Sequence, residues 1–185
     1  MKKVMKQEIK TLKLYIKEAL HINKDTNGDY YNYHPKTTDE LNELLYTLIK
    51  ERGENADLND IDVSAITDMS YVFFHSKFNG DISKWDVSNV KSMTHMFGSS
   101  KFNKDISNWN VGSVENMSSM FQNSKFNKDI SNWNVSNVAN MGWMFTHSKF
   151  NGDISKWDVS NVKNMENMFL NSPLEKNPPK WYIKK

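Results

Sequence analysis

Two sets of side chains in this sequence could do chemistry, and they differ in whether they recur. Asp81, Asp105, Asp129 and Asp153 recur every 24 residues and form a carboxylate column. Carboxylates stacked about 4.8 Å apart would repel by roughly 1 kcal/mol in water and about 3–4 kcal/mol at an effective dielectric of 20, so something must offset the charge. Calcium is one answer; capping of turns by backbone N–H groups, or a nearby Lys104 or Lys128, is the expected one. The second set does not recur. One column reads Tyr71, His95, Ser119, Trp143, Asn167; three and four places on, two more read Phe74, Gly98, Gln122, Thr146, Leu170 and His75, Ser99, Asn123, His147, Asn171. Freedom to differ within one chain is what solvent-facing positions have. Their aromatic members are of the kind that anchors protein interfaces. Tyr71, His95 and Trp143 lead this candidate partner-binding ridge, with Phe74, His75, Gln122 and His147 beside them; unselected surface is the competing explanation.

Catalytic and metal constellations are not found. His75 and His147 lie three rows apart, roughly 14 Å at sheet spacing, too far to share one metal ion. Asn23, Asp25, Asn27, Gly28 and Tyr30 have the spacing that opens a calcium-binding EF-hand loop, but His34 stands where the bidentate glutamate belongs, so a polar turn is expected. There is no nucleophile elbow, phosphate loop, dinucleotide fingerprint or zinc motif. The expectation is a non-enzyme without metal or cofactor.

The elements that would position the ridge follow from the repeat. In rows of 24 the same residues fill the same columns: Phe78, Phe102, Phe126 and Phe150; Ile82, Ile106, Ile130 and Ile154; Trp85, Trp109, Trp133 and Trp157; and Val87, Val111, Val135 and Val159. Further columns hold Val90, Met93, Met96 and Phe97 with their equivalents through Val162, Met165, Met168 and Phe169. A weaker first copy runs from Asp57 through Leu58, Ile61, Val63, Ile66, Met69, Val72 and Phe73, and Leu174, Trp181 and Ile183 begin a last one that Pro178 and Pro179 cut short. Trp85 and Val87 alternate as on a strand, and Val90, Met93, Met96 and Phe97 have helical spacing. The predicted fold is therefore an α/β solenoid: a leucine-rich-repeat-like stack of 24-residue turns, each a short parallel strand plus a short helical or 3-10 segment, with an N-terminal helical cap. The expected divisions are 1–56 for N-terminal helices and cap, 57–173 for five repeats, and 174–185 for a truncated capping turn.

Thr37 followed by Glu40, then Leu41, Leu44, Leu45, Leu48 and Gly53, predicts the cap helix. Met5, Ile9, Leu12, Ile16 and Leu20 share one face of a second, amphipathic helix, expected to pack on the cap or a sister chain. The tryptophans recur with Phe and Ile and are expected in the core.

The row Phe-Asn-Gly-Asp-Ile-Ser-Lys-Trp-Asp-Val-Ser-Asn-Val, at Phe78–Val90 and unchanged at Phe150–Val162, with Met-x-x-Met-Phe after it as in Met93–Phe97, resembles the BspA-like, or DUF285, family of bacterial repeat proteins of mycoplasma lipoprotein type. That resemblance implies a leucine-rich-repeat-like fold and protein binding, often at bacterial surfaces in adhesion to host matrix. Serine fills Ser76, Ser100, Ser124, Ser148 and Ser172, a column where related repeats often carry cysteine.

Bulk composition narrows the partners. Net charge is only +2 and no segment carries the dense positive field that phosphate backbones require, so no nucleic-acid partner is expected. Absence of cysteine removes disulfides and thiolate metal sites. Glu8, Lys10, Lys13, Lys17 and Glu18 interrupt any signal-peptide apolar run, and no stretch approaches the roughly 20 apolar residues of a spanning helix. The expected protein is cytoplasmic, not membrane-associated, and a protein-interaction scaffold; an exported surface adhesin is the alternative.

Overall fold

The computed structural model describes residues 31–182. The amphipathic segment Met5 to Leu20, the loop Asn23 to Tyr30 and Ile183 lie outside the described residues. The one α-helix among them, α1, spans Thr38–Arg52. The Thr37 side chain accepts the Glu40 N–H at 3.2 Å, and Glu40 Oε2 accepts the Lys36 N–H at 2.6 Å, so the expected capping pair forms. Gly53 ends the helix at φ 94°, a left-handed value that favours glycine, with its N–H on the Ile49 carbonyl. Leu41, Leu44, Leu45 and Leu48 are buried in the same core cluster as the repeats. Arg52 grips both oxygens of Asp60 at 2.9 and 3.1 Å, tying the helix end to the first row.

Beyond α1, each row is a run of turns whose apolar columns stack on those of the next row. Phe73, Phe97, Phe121, Phe145 and Phe169 lie ring over ring with centroids 5.6 to 6.0 Å apart and planes within 7° of parallel. Phe78, Phe102, Phe126 and Phe150 form a second pile beside it, at 6.3 to 6.4 Å. The expected tryptophan column is in the core: Trp85, Trp109, Trp133 and Trp157 are 3–4 % exposed. Each indole N–H donates to a carbonyl 27 residues upstream, those of Leu58, Ile82, Ile106 and Ile130, at 2.9 to 3.2 Å. Trp181 repeats the contact on the Ile154 carbonyl at 2.9 Å.

The α/β solenoid of parallel strands expected from the sequence is not seen. Among the described residues there is no strand; neighbouring rows meet through isolated parallel bridges, Asp57 to Asp81 and the series Asp68, Ser92, Asn116, Asn140, Asn164. Nor does the Val-Met-Met-Phe segment form a helical turn in each row; among the described residues the only 3-10 turn is Pro173–Glu175. The physical reason is the density of side-chain-capped corners. Asp57, Asp81, Asp105, Asp129 and Asp153 each accept the N–H two residues on. Five places later Asp62, Asp86, Asn110, Asn134 and Asp158 do the same. Ser76, Ser100, Ser124 and Ser148 cap the turn before each core phenylalanine. An Asx or Ser corner this often leaves too little extended chain for a strand.

Ten non-glycine residues with φ between 51° and 64° stop a helix from forming: Tyr71, His75, His95, Ser99, Ser119, Asn123, Trp143, His147, Asn167 and Asn171. They are the first and third of the variable columns. Between them the chain makes overlapping turns, such as Val72 to Met69, Phe74 to Tyr71 and Ser76 to Phe73, while alternate N–H groups point to the next row. Met69, Tyr71, Phe73 and His75 donate to the carbonyls of Ser92, Thr94, Met96 and Gly98, all at 2.9 Å.

Candidate functional site

That ladder positions the ridge. The Asp68 carboxylate turns the chain by accepting the Ser70 N–H, and Tyr71 then locks onto Thr94 while His95 in the next row locks onto Ser118. With both backbones fixed, the Tyr71 and His95 rings stack at 4.9 Å and 16°. Phe74 stands edge-on to both at 5.5 Å and lies 4.1 Å from the His75 ring. Tyr71 is 52 % and Phe74 38 % exposed. Four of the seven residues singled out from the sequence thus form one aromatic cluster.

The other three stand apart from it. Trp143 is half-buried two rows from His95, with the buried Ser119 between them, and none of the cluster's ring contacts reaches it. Gln122 is half-buried, and His147 is exposed with its Nε2 3.5 Å from the Asn171 amide. Gly98 belongs to the site although sequence reasoning passed over it. A Cβ there would meet the Phe74 ring at 3.0 Å and His95 Nδ1 at 3.2 Å, so the missing side chain lets those groups close in. Its signal was a lone glycine in a column of larger residues.

His95 has a displaced protonation equilibrium. Burial pushes its pKa below the ordinary 6.5, and its Nδ1 is enclosed without a hydrogen-bond partner. A proton on the ring therefore binds the unfolded chain more readily. Stability from this group is complete above pH 6.5 and is lost as pH falls toward the folded-state value. We expect the melting temperature to fall between pH 7 and pH 5, and the fall to shrink in His95→Phe; equal slopes in the two proteins would refute the assignment.

The aspartate column is accounted for by turn capping. Asp129 and Asp153 lie fully exposed and are held below the usual carboxylate range, chiefly by the N–H groups of Ser131 and Ser155; the neighbouring Asp153 charge opposes this on Asp129 more weakly. Among the described residues no three His, Asp or Glu side chains gather as a metal site would require.

Rows of capped turns, four of them carrying Met-x-x-Met-Phe and the first Met-x-x-Val-Phe at Met69–Phe73, are what a sequence family can be recognised by. A family model described as a Mycoplasma protein of unknown function, DUF285, matches residues 40–148 and 122–185. The chain belongs to the DUF285 family. The resemblance read from the repeats is borne out, and the family description leaves function open. No curated protein matches this DUF285 chain. No solved structure matches it. No helix among its described residues is long and apolar enough to cross a membrane.

Proposed function

We propose that this DUF285 chain is a non-enzymatic scaffold that binds a protein partner in the cytosol through the ridge headed by Tyr71, Phe74 and His95. The observation that carries the reading is where these aromatics sit. A left-handed backbone costs an L residue roughly 1–2 kcal/mol and is most easily met by Gly or Asn. Asn123, Asn167 and Asn171 are that inexpensive choice; Tyr71, His95 and Trp143 are not. Folding alone gives no reason to place large rings there, whereas recognition does, and strain of this kind concentrates at functional positions.

The partner-facing anchors are Tyr71 and Phe74, which offer a rigid apolar surface with one hydroxyl. Affinity capture from the source cells tests this, comparing wild type with Tyr71→Ala/Phe74→Ala and, separately, Trp143→Ala. Interface anchors contribute about 2 kcal/mol or more, so the double variant is expected to lose roughly 30-fold or more in affinity for any captured partner. Because the ring contacts do not reach Trp143, its variant is expected to lose less. Equal recovery by all three proteins would dismiss the ridge, and partners found only outside the cytosolic fraction would dismiss the location.

A further inference from the structure

Within the aromatic cluster one nitrogen is enclosed and has nothing to bond. His95 Nδ1 is buried with no hydrogen-bond partner, and it lies 3.2 Å from the point that a Cβ on Gly98 would occupy. The main-chain groups of Gly98 are engaged: its N–H donates to the His95 carbonyl and its carbonyl accepts the His75 N–H, both at 2.9 Å. Tyr71 stacks on the imidazole at 4.9 Å, and Phe74 stands edge-on to it at 5.5 Å. Of the titratable side chains in the cluster, Tyr71 is the one in this stack, and His75 packs on Phe74 with ring centroids 4.1 Å apart. In the next row Ser119 occupies the same column and is neutral and buried. Burial is what displaces the His95 equilibrium, with no charged side chain among the described residues contributing to it.

A neutral imidazole can keep its single proton on Nε2 and leave Nδ1 bare, whereas an imidazolium carries an N–H at both nitrogens. Protonation in place would therefore bury a charged donor without an acceptor. The Tyr71 face attracts a cation, but at a ring 52 % exposed that gain is smaller than the penalty for a charged group left unpaired. The His95 backbone is held, because its N–H is on the Ser118 carbonyl at 3.0 Å and its carbonyl accepts from Gly98. The side chain is what can move. We propose that protonation turns the His95 ring out of the cluster and dismantles the Tyr71–His95–Phe74 face, so that acid switches the ridge off as a binding surface. The control of binding rests on the ridge reading above; the movement of the rings does not. One proton is taken up, so the ratio of turned-out to packed rings rises by up to about 10-fold per pH unit below pH 6.5.

The test titrates isotope-labelled full-length protein between pH 7 and pH 5 with no partner added. The His95 ring resonances are expected to titrate with a midpoint below 6.5, and those of the Tyr71 ring to move with the same midpoint as the stack is lost. Magnetisation transfer between the two rings, present at pH 7, is expected to vanish at pH 5. The Trp133 indole N–H, on the Ile106 carbonyl, should keep its shift because the core stays folded. In His95→Phe the Tyr71 resonances are expected to stay in place. A protein captured on the ridge at pH 7 is expected to bind about 10-fold more weakly at pH 5 on wild type, and to weaken less than about 2-fold on His95→Phe. Tyr71 resonances that ignore the His95 titration, a His95 midpoint at or above 6.5, or loss of the Trp133 signal together with the stack would overturn the switch. Equal weakening on the two proteins would overturn its control of binding. The rings are read without a partner, so that result stands apart from whether the ridge captures anything.

Discussion

Phe121→Ala is expected to destabilise the protein by about 3–5 kcal/mol, the range for removing a large aromatic from a packed core. Phe121 stands mid-pile, with Phe97 and Phe145 each 5.7 Å away, Phe126 at 4.3 Å and Trp133 at 6.4 Å. Its neighbours are held by the ladders of their own rows, with Phe121 N–H on Met144 O and Phe97 N–H on Met120 O, so they cannot collapse into the gap. Folded domains hold only about 5–15 kcal/mol in all, so this single change uses a large share. Denaturant titration measures it: the midpoint should drop with little change in slope. Phe74→Ala, at a side chain 38 % exposed, serves as the contrast and should cost under about 1 kcal/mol. Similar losses from the two changes would mean that the ring piles are not what holds the rows together.

Gly80→Ala is expected to cost at least about 1–3 kcal/mol, as inserting a methyl into filled space does. A Cβ at Gly80 would come within 1.9 Å of the Ala56 carbonyl oxygen and within 2.6 Å of the Phe78 ring. That carbonyl is fixed, because it accepts the Asp81 N–H at 3.0 Å, and Asn79 N–H is anchored to Glu54 at 2.6 Å. The same column holds Lys104 and Lys128 in the next two rows, where a side chain is evidently accommodated. The carbonyl contact is local to the junction where the chain leaves α1 and enters the first row; the ring contact recurs at Gly152, where a Cβ would lie 2.7 Å from the Phe150 ring. Lys104→Ala and Lys128→Ala should stay within about 0.5 kcal/mol of wild type by thermal melts. A neutral Gly80→Ala would show that the junction is looser than its geometry implies.

Much of the core could be read in advance, for reasons visible in particular residues. Trp133 and Phe121 recur with apolar partners at a fixed period, and burial of like over like is the only arrangement that hides them all. The α1 boundaries were legible because Thr37, Glu40 and Gly53 each satisfy an orphan backbone group at a helix end. The strand and helical turn were misread because short apolar spacing does not reveal backbone dihedrals. Trp85 and Val87 look alternating, yet the Asp81 cap bends the chain before Trp85 and the Asp86 cap bends it at Val87 itself. The aspartate, asparagine and serine columns act together on the backbone and outweigh the apolar pattern.

The candidate site divides in the same way. That Tyr71, Phe74 and His75 are exposed and His95 is partly so followed from their failure to recur. Their contact with one another, the enclosure of His95 Nδ1, and the separation of Trp143 are properties of the tertiary structure. By itself the sequence determined which columns form the core, where the capping helix lies and which family the chain resembles, because burial and helix caps depend on residue type and spacing. Only the tertiary structure decided how the chain turns within each row and which variable residues meet. Those outcomes depend on left-handed dihedrals and inter-row hydrogen bonds, and residues such as Tyr71 and Trp143 carry no local signal for either.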